Sequence, residues 1–251
     1  MSIARTEVIA ALNNWLEPSA FNDYCPNGLQ VEGSEQVSHI VSGVTASMAL
    51  IEQAIEQKAD MLLVHHGYFW KGEDPALVGM KYRRIKALIS NDINLVAYHL
   101  PLDFHQQLGN NVSLARELGF TITGQFGGGA RPLGMVGELL KEMTGEQLAE
   151  HIEKCLGRKP QHIASNKLIK TVAWCTGAAQ NYIDEAVAAG IDAYLSGEIS
   201  EPTYHSAREG GIHYFGAGHH ATERFGVQCL GEKLAQEFGV KHNFIDVPNP
   251  V

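Results

Sequence analysis

The strongest constraint on the fold is the regular alternation of short apolar segments with longer amphipathic segments. The apolar segments have the length and the β-branched content of buried strands. They are "HIVSGV" (39–44), "MLLV" (61–64), "INLVAY" (93–98), "TVAWC" (171–175), "DAYL" (192–195), "IHYFGA" (212–217) and "NFIDV" (243–247). Apolar residues at i, i+3 and i+4 predict helices between them, over 47–58, 181–190 and 229–239. This alternation favours an α/β fold with largely parallel sheets.

The pattern occurs twice along the chain. Two stretches of the first half align without gaps on two stretches of the second half: 43–67 on 175–199, and 93–103 on 213–223. His99 then matches His219 and Asp103 matches Glu223, so each half carries an acid four residues after a strand-end histidine. Any two strand–helix–strand units would share apolar positions, but the repeated histidine–acid pair favours a duplication. We therefore predict two related α/β lobes.

The alternation is interrupted between Gly119 and about Lys170. This stretch holds the glycine-rich segment "GQFGGGARPLG" and one helix-like segment, "TGEQLAEHIEKCLG". We predict a first lobe in residues 1–118, a linker or insertion in 119–170 and a second lobe in 171–251. The two lobes are expected to pack as one unit.

Composition and charge limit the classes of function. Apolar residues make up 45% of the 251 residues and charged residues 19%, which is typical of a globular protein. The formal net charge of −9 argues against a nucleic-acid binder, because neutralising phosphates needs a basic face. The run "KYRRIK" (81–86) would be an exception if it lined a binding surface, but such runs are more often solvated helix faces.

The N-terminus and the cysteines predict a cytoplasmic protein. The segment "MSIARTEVIAALNNWL" (1–16) has the pattern of an amphipathic helix and lacks the apolar core of a signal peptide. Apolar runs stay well below the length of a membrane span. The four cysteines, at positions 25, 155, 175 and 229, are too scattered for a zinc knuckle and are expected as reduced thiols.

Histidines and carboxylates concentrate at the ends of predicted strands. Six of the twelve histidines lie in "HHG" (65–67), "HLPLDFH" (99–105) and "HHATE" (219–223). Ligands bind at the carboxyl ends of parallel strands, and a mixed His/Asp/Glu set suits one or two transition-metal ions. A single strand-end histidine is often only a polar residue that leaves the core, and this alternative applies to His105, His205, His213 and His220.

The adjacent histidines His65 and His66 need a reason of their own. Side chains alternate between the faces of a strand, so the two rings diverge while the strand stays regular. At a strand end, with Gly67 freeing the backbone, both rings can reach one site by facing different ions. Adjacent histidines therefore fit a site with two metal ions.

Neighbouring residues supply candidates for substrate contact. The segment "GYFWKG" offers an aromatic stacking surface: Tyr68, Phe69 and Trp70. Lys71 would contact a phosphate. The alternative is that these aromatic side chains pack a subunit interface.

Two further residues are candidates for proton transfer or for orienting a metal ligand. Glu198 in "LSGE" occupies the repeat position of His66, although it would also serve as a helix cap. His99 directly follows a strand in the first half.

The motifs resemble those of the interacting-factor-three-like family, whose bacterial members are often labelled GTP cyclohydrolase 1 type 2 homologues. The resemblance covers nearly the whole chain. Its motifs are "DYCPNGLQVEG" (23–33), "GVTAS" (43–47), "VHHGYFWKG" (64–72), "HLPLD" (99–103), "LSGE" (195–198), "GHHATE" (218–223) and "FIDVPNP" (244–250).

The resemblance implies two related α/β lobes with a dinuclear metal centre between them. The metal ligands it implies are His65, His66, Asp103, His219 and Glu223, with Glu223 bridging the two ions. It also implies a homo-oligomer, a ring-shaped hexamer. The short form lacks the large central domain of longer relatives, and the segment 120–170 takes its place.

These observations predict a dinuclear metal-dependent hydrolase of a small phosphorylated or nucleotide-like metabolite. Two divalent ions of Zn, Fe, Mn or Ni bring a charge of +4, and two carboxylates return −2, so the centre would attract an anion. The alternatives are a metal-handling protein without its own chemistry and a regulatory ring protein. The motifs do not spell a GTP-specific pocket.

Overall fold

Two large mixed sheets form the framework of the computed structural model, which describes residues 1–129 and 131–251. The strands are β1 (Ile3–Ala4), β2 (Gly28–Val31), β3 (Gln36–Val37), β4 (His39–Thr45), β5 (Met61–His66), β6 (Asn94–Ala97), β7 (Thr121–Phe126), β8 (Gly134–Met143), β9 (Gln161–Ile163), β10 (Ile169–Cys175), β11 (Ala193–Ser196), β12 (His213–Gly216) and β13 (Lys241–Phe244). The helices are α1 (Arg5–Leu16), α2 (Met48–Glu56), α3 (Gly79–Ser90), α4 (Leu100–Phe104), α5 (Asn110–Leu118), α6 (Gly145–Leu156), α7 (Ile183–Ala188), α8 (Glu201–Gly210), α9 (His219–Thr222) and α10 (Arg224–Phe238).

The chain divides into two units, each with its own sheet. Unit 1 comprises Met1–Leu108 and Gly226–Pro248, and unit 2 comprises Gly109–Phe225 and Asn249–Val251. The predicted α/β class with largely parallel sheets is confirmed.

The sheet of unit 1 has the strand order β13-β4-β5-β6-β2. Strands β13, β4, β5 and β6 run parallel, and β2 pairs antiparallel with β6 at one edge. A two-stranded antiparallel ribbon of β1 and β3 accompanies this sheet.

The packing of strand β5 explains why its sequence is a continuous apolar run. Met61 and Leu63 pack into one buried cluster, and Leu62 and Val64 pack into another on the opposite face. A parallel strand that is covered on both faces has apolar residues at every position, and each such side chain contributes about 1.5–3 kcal/mol. The alternation carries the next residue, His65, toward the first face.

The sheet of unit 2 has the strand order β7-β8-β10-β11-β12-β9. Strands β10, β11 and β12 run parallel, as β4, β5 and β6 do in unit 1. The outer strands pair antiparallel: β8 with β10, β7 with β8, and β9 with β12.

The strand registers carry the duplication that the sequence predicts. Gly43 pairs with Val64 in unit 1, and Cys175 pairs with Ser196 in unit 2. Cys175 therefore follows Gly43 by the same number of chain positions as Ser196 follows Val64. Unit 2 has one residue more between its third parallel strand and the histidine that follows. That additional position is accommodated by Gly218, whose φ is +102°.

The division into units differs from the predicted division in the segment 119–170. This stretch supplies β7, β8, α6 and β9 to unit 2. Its glycines suggested a loop, but they allow close strand packing: a Cβ at Gly137 would lie 2.2 Å from the Thr121 carbonyl oxygen, and one at Gly134 would lie 2.8 Å from that of Trp174. Ala130 of the glycine-rich segment lies outside the described residues.

The second difference is at the C-terminal end, where 226–248 belongs to unit 1. Val227 and Leu234 of α10 share a buried cluster with Val8 and Leu12 of α1. Strand β13 pairs with β4 and begins two residues before the predicted strand. These are contacts between chain ends, which local periodicity does not encode.

Candidate metal centre

His65 and His66 are the last two residues of β5. Each ring contacts an oxygen atom that lies on a neighbouring strand or on the residue that directly follows a neighbouring strand. His65 is fully buried, and its Nδ1 donates to the carbonyl oxygen of Tyr98 at 2.9 Å. The Nδ1 of His66 lies 3.1 Å from the hydroxyl of Thr45, its partner in the ladder between β4 and β5. The two ring centroids are 4.6 Å apart, so both rings lie in the same region of unit 1.

His99 and Asp103 lie where the chain leaves β6 and forms α4. The buried carboxylate of Asp103 places Oδ1 3.5 Å from Nε2 of His65. The ring centroid of His99 is 5.0 Å from that of His65 and 5.8 Å from that of His66. One ligand atom from each of the three histidines lies within 4.8 Å of the other two, a spacing from which they could hold a metal ion.

Asp23 fixes the position of His99 within unit 1. Its Oδ1 accepts from Nδ1 of His99 at 2.7 Å and from the amide of Tyr24 at 2.6 Å. Its Oδ2 accepts from Nδ2 of Asn27 at 2.8 Å and from the amide of Leu100 at 2.9 Å. Burial acts to raise the pKa of Asp23, but the hydrogen bonds from His99 and Asn27 outweigh it and lower the pKa. Asp23 is therefore a carboxylate at neutral pH.

Cys25 lies in the same loop. Asp23, Cys25 and His99 form a second group whose ligand atoms lie within 4.8 Å of one another. Burial, together with the charge of Asp23, raises the pKa of the Cys25 thiol to about 12. With no cation beside it, the side chain is thus a protonated thiol at neutral pH.

His219 and Glu223 occupy the matching position in unit 2. Nε2 of His219 lies 3.2 Å from Oε2 of Glu223, and its Nδ1 lies 2.7 Å from Oε1 of Glu198. Burial acts to lower the pKa of His219, but these two carboxylates outweigh it and raise the pKa to about 9. Glu198 and Glu223 thus contact different nitrogens of the His219 ring.

Two glycines make room for this group. A Cβ at Gly177 would lie 2.2 Å from Oε1 of Glu223 and 3.2 Å from Nε2 of His219. A Cβ at Gly197 would lie 2.7 Å from the Cα of His219. At the alignment offset of the two halves, Gly177 takes the position of Thr45, so unit 2 has a space where unit 1 has a side chain.

Comparison with known proteins identifies the family. The family model for Duf34/NIF3 (NGG1p interacting factor 3) matches residues 3–250. The chain belongs to the Duf34/NIF3 family. A relative from Vibrio cholerae, named GTP cyclohydrolase 1 type 2 homolog, is 59% identical over 245 residues, 96% of this chain and 97% of the relative. A relative of the same name from Pseudomonas aeruginosa is 55% identical over 251 residues, 100% of both chains.

The fold of this Duf34/NIF3 protein also occurs in solved structures. The structural-genomics protein ybgI, of unknown function, has a TM-score of 0.96 and 50% identity, and the match covers 99% of this chain and 100% of that chain. The protein TTHA1606 from Thermus thermophilus has a TM-score of 0.91 and 32% identity, with 99% and 100% coverage. Within residues 1–129 and 131–251, no helix combines the length and the apolar character needed to cross a bilayer.

Tyr68 has a different place in the Duf34/NIF3 fold from the one predicted. Its side chain is buried in the core of unit 1, and its hydroxyl donates to the carbonyl oxygen of Ala46 at 2.6 Å. Burial raises the pKa of this hydroxyl. The ring, which was predicted to stack on a substrate, packs inward from the strand end.

Trp70 and Lys71 lie nearer to the histidines and to solvent. The Trp70 ring is half-buried, 5.0 Å from the His99 ring in an edge-on arrangement and 6.0 Å from the His66 ring. Lys71 is exposed, and its amide donates to the carbonyl oxygen of Tyr24 at 2.6 Å.

Three of the four other histidines considered in the sequence have contacts that suit structural roles. Nε2 of His213 donates to a backbone carbonyl at 2.9 Å, and Nδ1 of His105 accepts from backbone amides two and three residues later at 3.1 Å. His205 is exposed and pairs with Glu201 one helical turn away, at 3.1 Å.

Sequence reasoning missed Asp23 and Asn27 as parts of the site. It used the segment "DYCPNGLQVEG" (23–33) only as a motif of the family. The signal was an aspartate and an asparagine four residues apart in one loop, but their partner, His99, is more than 70 positions away in the chain.

Proposed function

We propose that this Duf34/NIF3 protein is a dinuclear metal-dependent hydrolase of a small phosphorylated or nucleotide-like metabolite. Five side chains would hold two divalent ions: His65, His66, Asp103, His219 and Glu223. Glu223 would be shared by both ions. Zn, Fe, Mn and Ni suit such a mixture of imidazole and carboxylate donors.

The observation that carries the proposal is the way the histidine rings are fixed. A histidine that binds a metal usually gives its other ring nitrogen to a carboxylate, a carbonyl or a hydroxyl oxygen. All three proposed histidine ligands have Nδ1 beside such an oxygen: Tyr98 carbonyl for His65 (2.9 Å), Thr45 hydroxyl for His66 (3.1 Å) and Glu198 carboxylate for His219 (2.7 Å). Nε2 is thus the ligand atom in each ring.

The burial of the two carboxylates supports the same assignment. Asp103 is 6% exposed and Glu223 is 3% exposed. A buried carboxylate is costly unless cations or hydrogen-bond donors compensate its charge. Divalent ions supply that compensation, and the space at Gly177 lets the Glu223 carboxylate lie beside His219.

The chain's own residues would hold and orient the reactants. When bound, two divalent ions activate a water molecule and stabilise the leaving oxygen of a hydrolysed ester. Glu198 keeps Nε2 of His219 directed at the ion, as a positioning residue. Trp70 offers a ring face beside the histidines, and the exposed Lys71 offers a cation to an anionic substrate.

Assembly and location follow from the family resemblance. We infer a homo-oligomer, a ring-shaped hexamer, in the cytoplasm. Light scattering on the purified full chain measures the number of subunits, and a monomer at micromolar concentration would exclude the ring.

The proposal is tested by metal analysis joined to a substrate screen. Protein purified without chelator is assayed with phosphoesters and nucleotides, and GTP is included because the relatives carry the name GTP cyclohydrolase 1 type 2 homolog. We expect hydrolysis that is lost in Asp103→Asn and retained in His205→Ala, a control on an exposed histidine. Metal without turnover on any substrate would instead indicate a metal-handling protein.

A further inference from the structure

We propose that Arg84, on α3 of unit 1, binds a phosphate group of an anionic ligand. The residue belongs to the basic run "KYRRIK" (81–86), which has no part in the proposed metal centre. The inference rests on the anionic substrate of the proposed function, but neither on bound metal nor on hydrolysis. Arg84 would hold a part of the ligand that lies away from the reacting bond.

Arg84 is a half-buried cation without a counter-ion. Its Nε is buried and has no hydrogen-bond partner, and within the part of the chain that the structure describes its guanidinium makes no ion pair. Arg158 also buries Nε, but its Nη1 donates to the Pro250 carbonyl oxygen. Arg224 does the same, but its Nη2 donates to the Leu156 carbonyl oxygen at 2.9 Å. A charge that is partly withdrawn from water is costly unless it is compensated, and a bound anion would compensate that of Arg84.

The first turns of α3 lie against the segment that follows the adjacent histidines of β5. Nζ of Lys81 is 3.3 Å from Oε2 of Glu73 and 5.0 Å from the centroid of the Phe69 ring. The same Glu73 oxygen accepts from the amide of Trp70 at 3.1 Å. Arg84 is three residues after Lys81, so the two side chains are neighbours on one face of the helix. Arg84 thus belongs to the side of α3 that faces this segment.

Core packing fixes the helix in this position. Ile85 and Leu88 of α3 share a buried cluster with Tyr68, which lies two residues after His66. Burial raises the pKa of the Tyr68 hydroxyl, and the positive charge of Arg84 acts in the opposite direction. That influence agrees with the packing, which brings the Arg84 charge near the Tyr68 side chain.

The charges around Arg84 leave it free to bind an anion. Lys81 is balanced by Glu73, so Arg84 contributes the net positive charge of this group. Asp74, the next acid in the segment, directs Oδ1 to the amide of Ala76 at 2.9 Å. A guanidinium presents a planar fork of donors that matches two oxygens of a phosphate, which is the reason for assigning this class of ligand.

Binding of inorganic pyrophosphate to the metal-free full chain tests the role of Arg84 apart from the metal ions. Isothermal titration calorimetry should give a measurable Kd for the parent, and Arg84→Gln should raise it at least about tenfold, because hydrogen bonds from a charged donor are lost. Arg84→Lys keeps the charge without the fork and should fall between the two. Arg83→Gln is the matched control on the exposed neighbouring arginine and should leave the Kd within about twofold. Thermal unfolding reports whether each variant is folded.

Enzyme kinetics distinguish a binding role from a structural one. For an ester that the metal-loaded chain hydrolyses, Arg84→Gln should raise KM and leave kcat within about twofold, since a contact remote from the reacting bond holds the ground state and the transition state equally. A fall in kcat at unchanged KM would contradict the binding role.

The outcomes separate this inference from the proposed function. Metal-free binding that is lost in Arg84→Gln and kept in Arg83→Gln supports the inference even where no ester is hydrolysed. An unchanged Kd in Arg84→Gln, an equal loss in Arg83→Gln, or no binding by the metal-free parent refutes the role of Arg84 and leaves the metal-dependent function standing. A chain that binds pyrophosphate through Arg84 but holds no divalent ion refutes the proposed function alone.

Discussion

The substitution Gly177→Ala should disable the proposed metal ligands of unit 2 while leaving the fold intact. A methyl at this position would lie 2.2 Å from Oε1 of Glu223, and an ordinary contact begins at 3.4 Å, so the carboxylate must move by roughly 1.2 Å. Metal–ligand distances tolerate about 0.2 Å. The displacement is thus several times the tolerance, and we expect metal affinity to fall at least about tenfold, the lower end for lost supporting groups.

The same substitution has a backbone cost that must be measured separately. Gly177 has φ +67°, and a residue with a Cβ costs about 1–2 kcal/mol in that region. For a chain of this size the cost lowers Tm by about 2–4 °C per kcal/mol. Gly190→Ala is the matched control, because its φ is +70° and, within the part of the chain that the structure describes, no atom lies within 4 Å of the added methyl.

Both variants are assayed by thermal unfolding of the metal-free protein and by zinc competition. They should lose similar stability from the backbone, but only Gly177→Ala should lose zinc affinity. Equal zinc affinity in the two variants would refute the assignment of Gly177 as the space that Glu223 needs.

Three other perturbations give distinct results. Glu198→Gln should weaken zinc binding about 10–100-fold in a competition assay with little loss of Tm, because the carboxylate on Nδ1 of His219 is removed; Glu201→Gln, on an exposed acid, should have no effect. Tyr68→Phe should lower the free energy of unfolding in urea by about 1–3 kcal/mol, since the Ala46 carbonyl loses its buried donor; unchanged stability would contradict the core role. Burial lowers the pKa of both His162 and His242, so on acidification the unfolded chain takes up protons before the folded chain does. Tm should therefore fall as pH drops below about 6.5, and His242→Gln should make that fall shallower. A Tm that does not change with pH in the parent protein would refute this prediction.

The sequence predicted the parts of the fold that are encoded locally. The apolar run from Met61 to Val64 identified β5, because a strand covered on both faces is apolar throughout. The segment 119–170 was predicted as a linker or insertion because of its glycine-rich segment "GQFGGGARPLG". Gly134 of that segment, and Gly137 beyond it, permit close contact with neighbouring strands. The pairing of β13 with β4 depends on contacts across about 200 positions, and no local period records it.

The candidate site was likewise predicted from the sequence only in part. The histidine–acid pairs were predicted because strand ends and four-residue spacings are visible in sequence, and within unit 2 His219 does lie beside Glu223. Asp23 was missed because its contact with His99 is long-range. The burial of Tyr68 could not be predicted, because the direction of a side chain after a strand end depends on the packing around it.

Metal content of the purified full chain tests the central claim most directly. Elemental analysis after purification without chelator, or after reconstitution with Zn²⁺, Fe²⁺, Mn²⁺ or Ni²⁺, should give close to two ions per chain, and Glu223→Ala should lower the occupancy of both. A wild-type chain that reproducibly holds no divalent ion under these conditions would contradict the metal centre, and with it the proposed hydrolase.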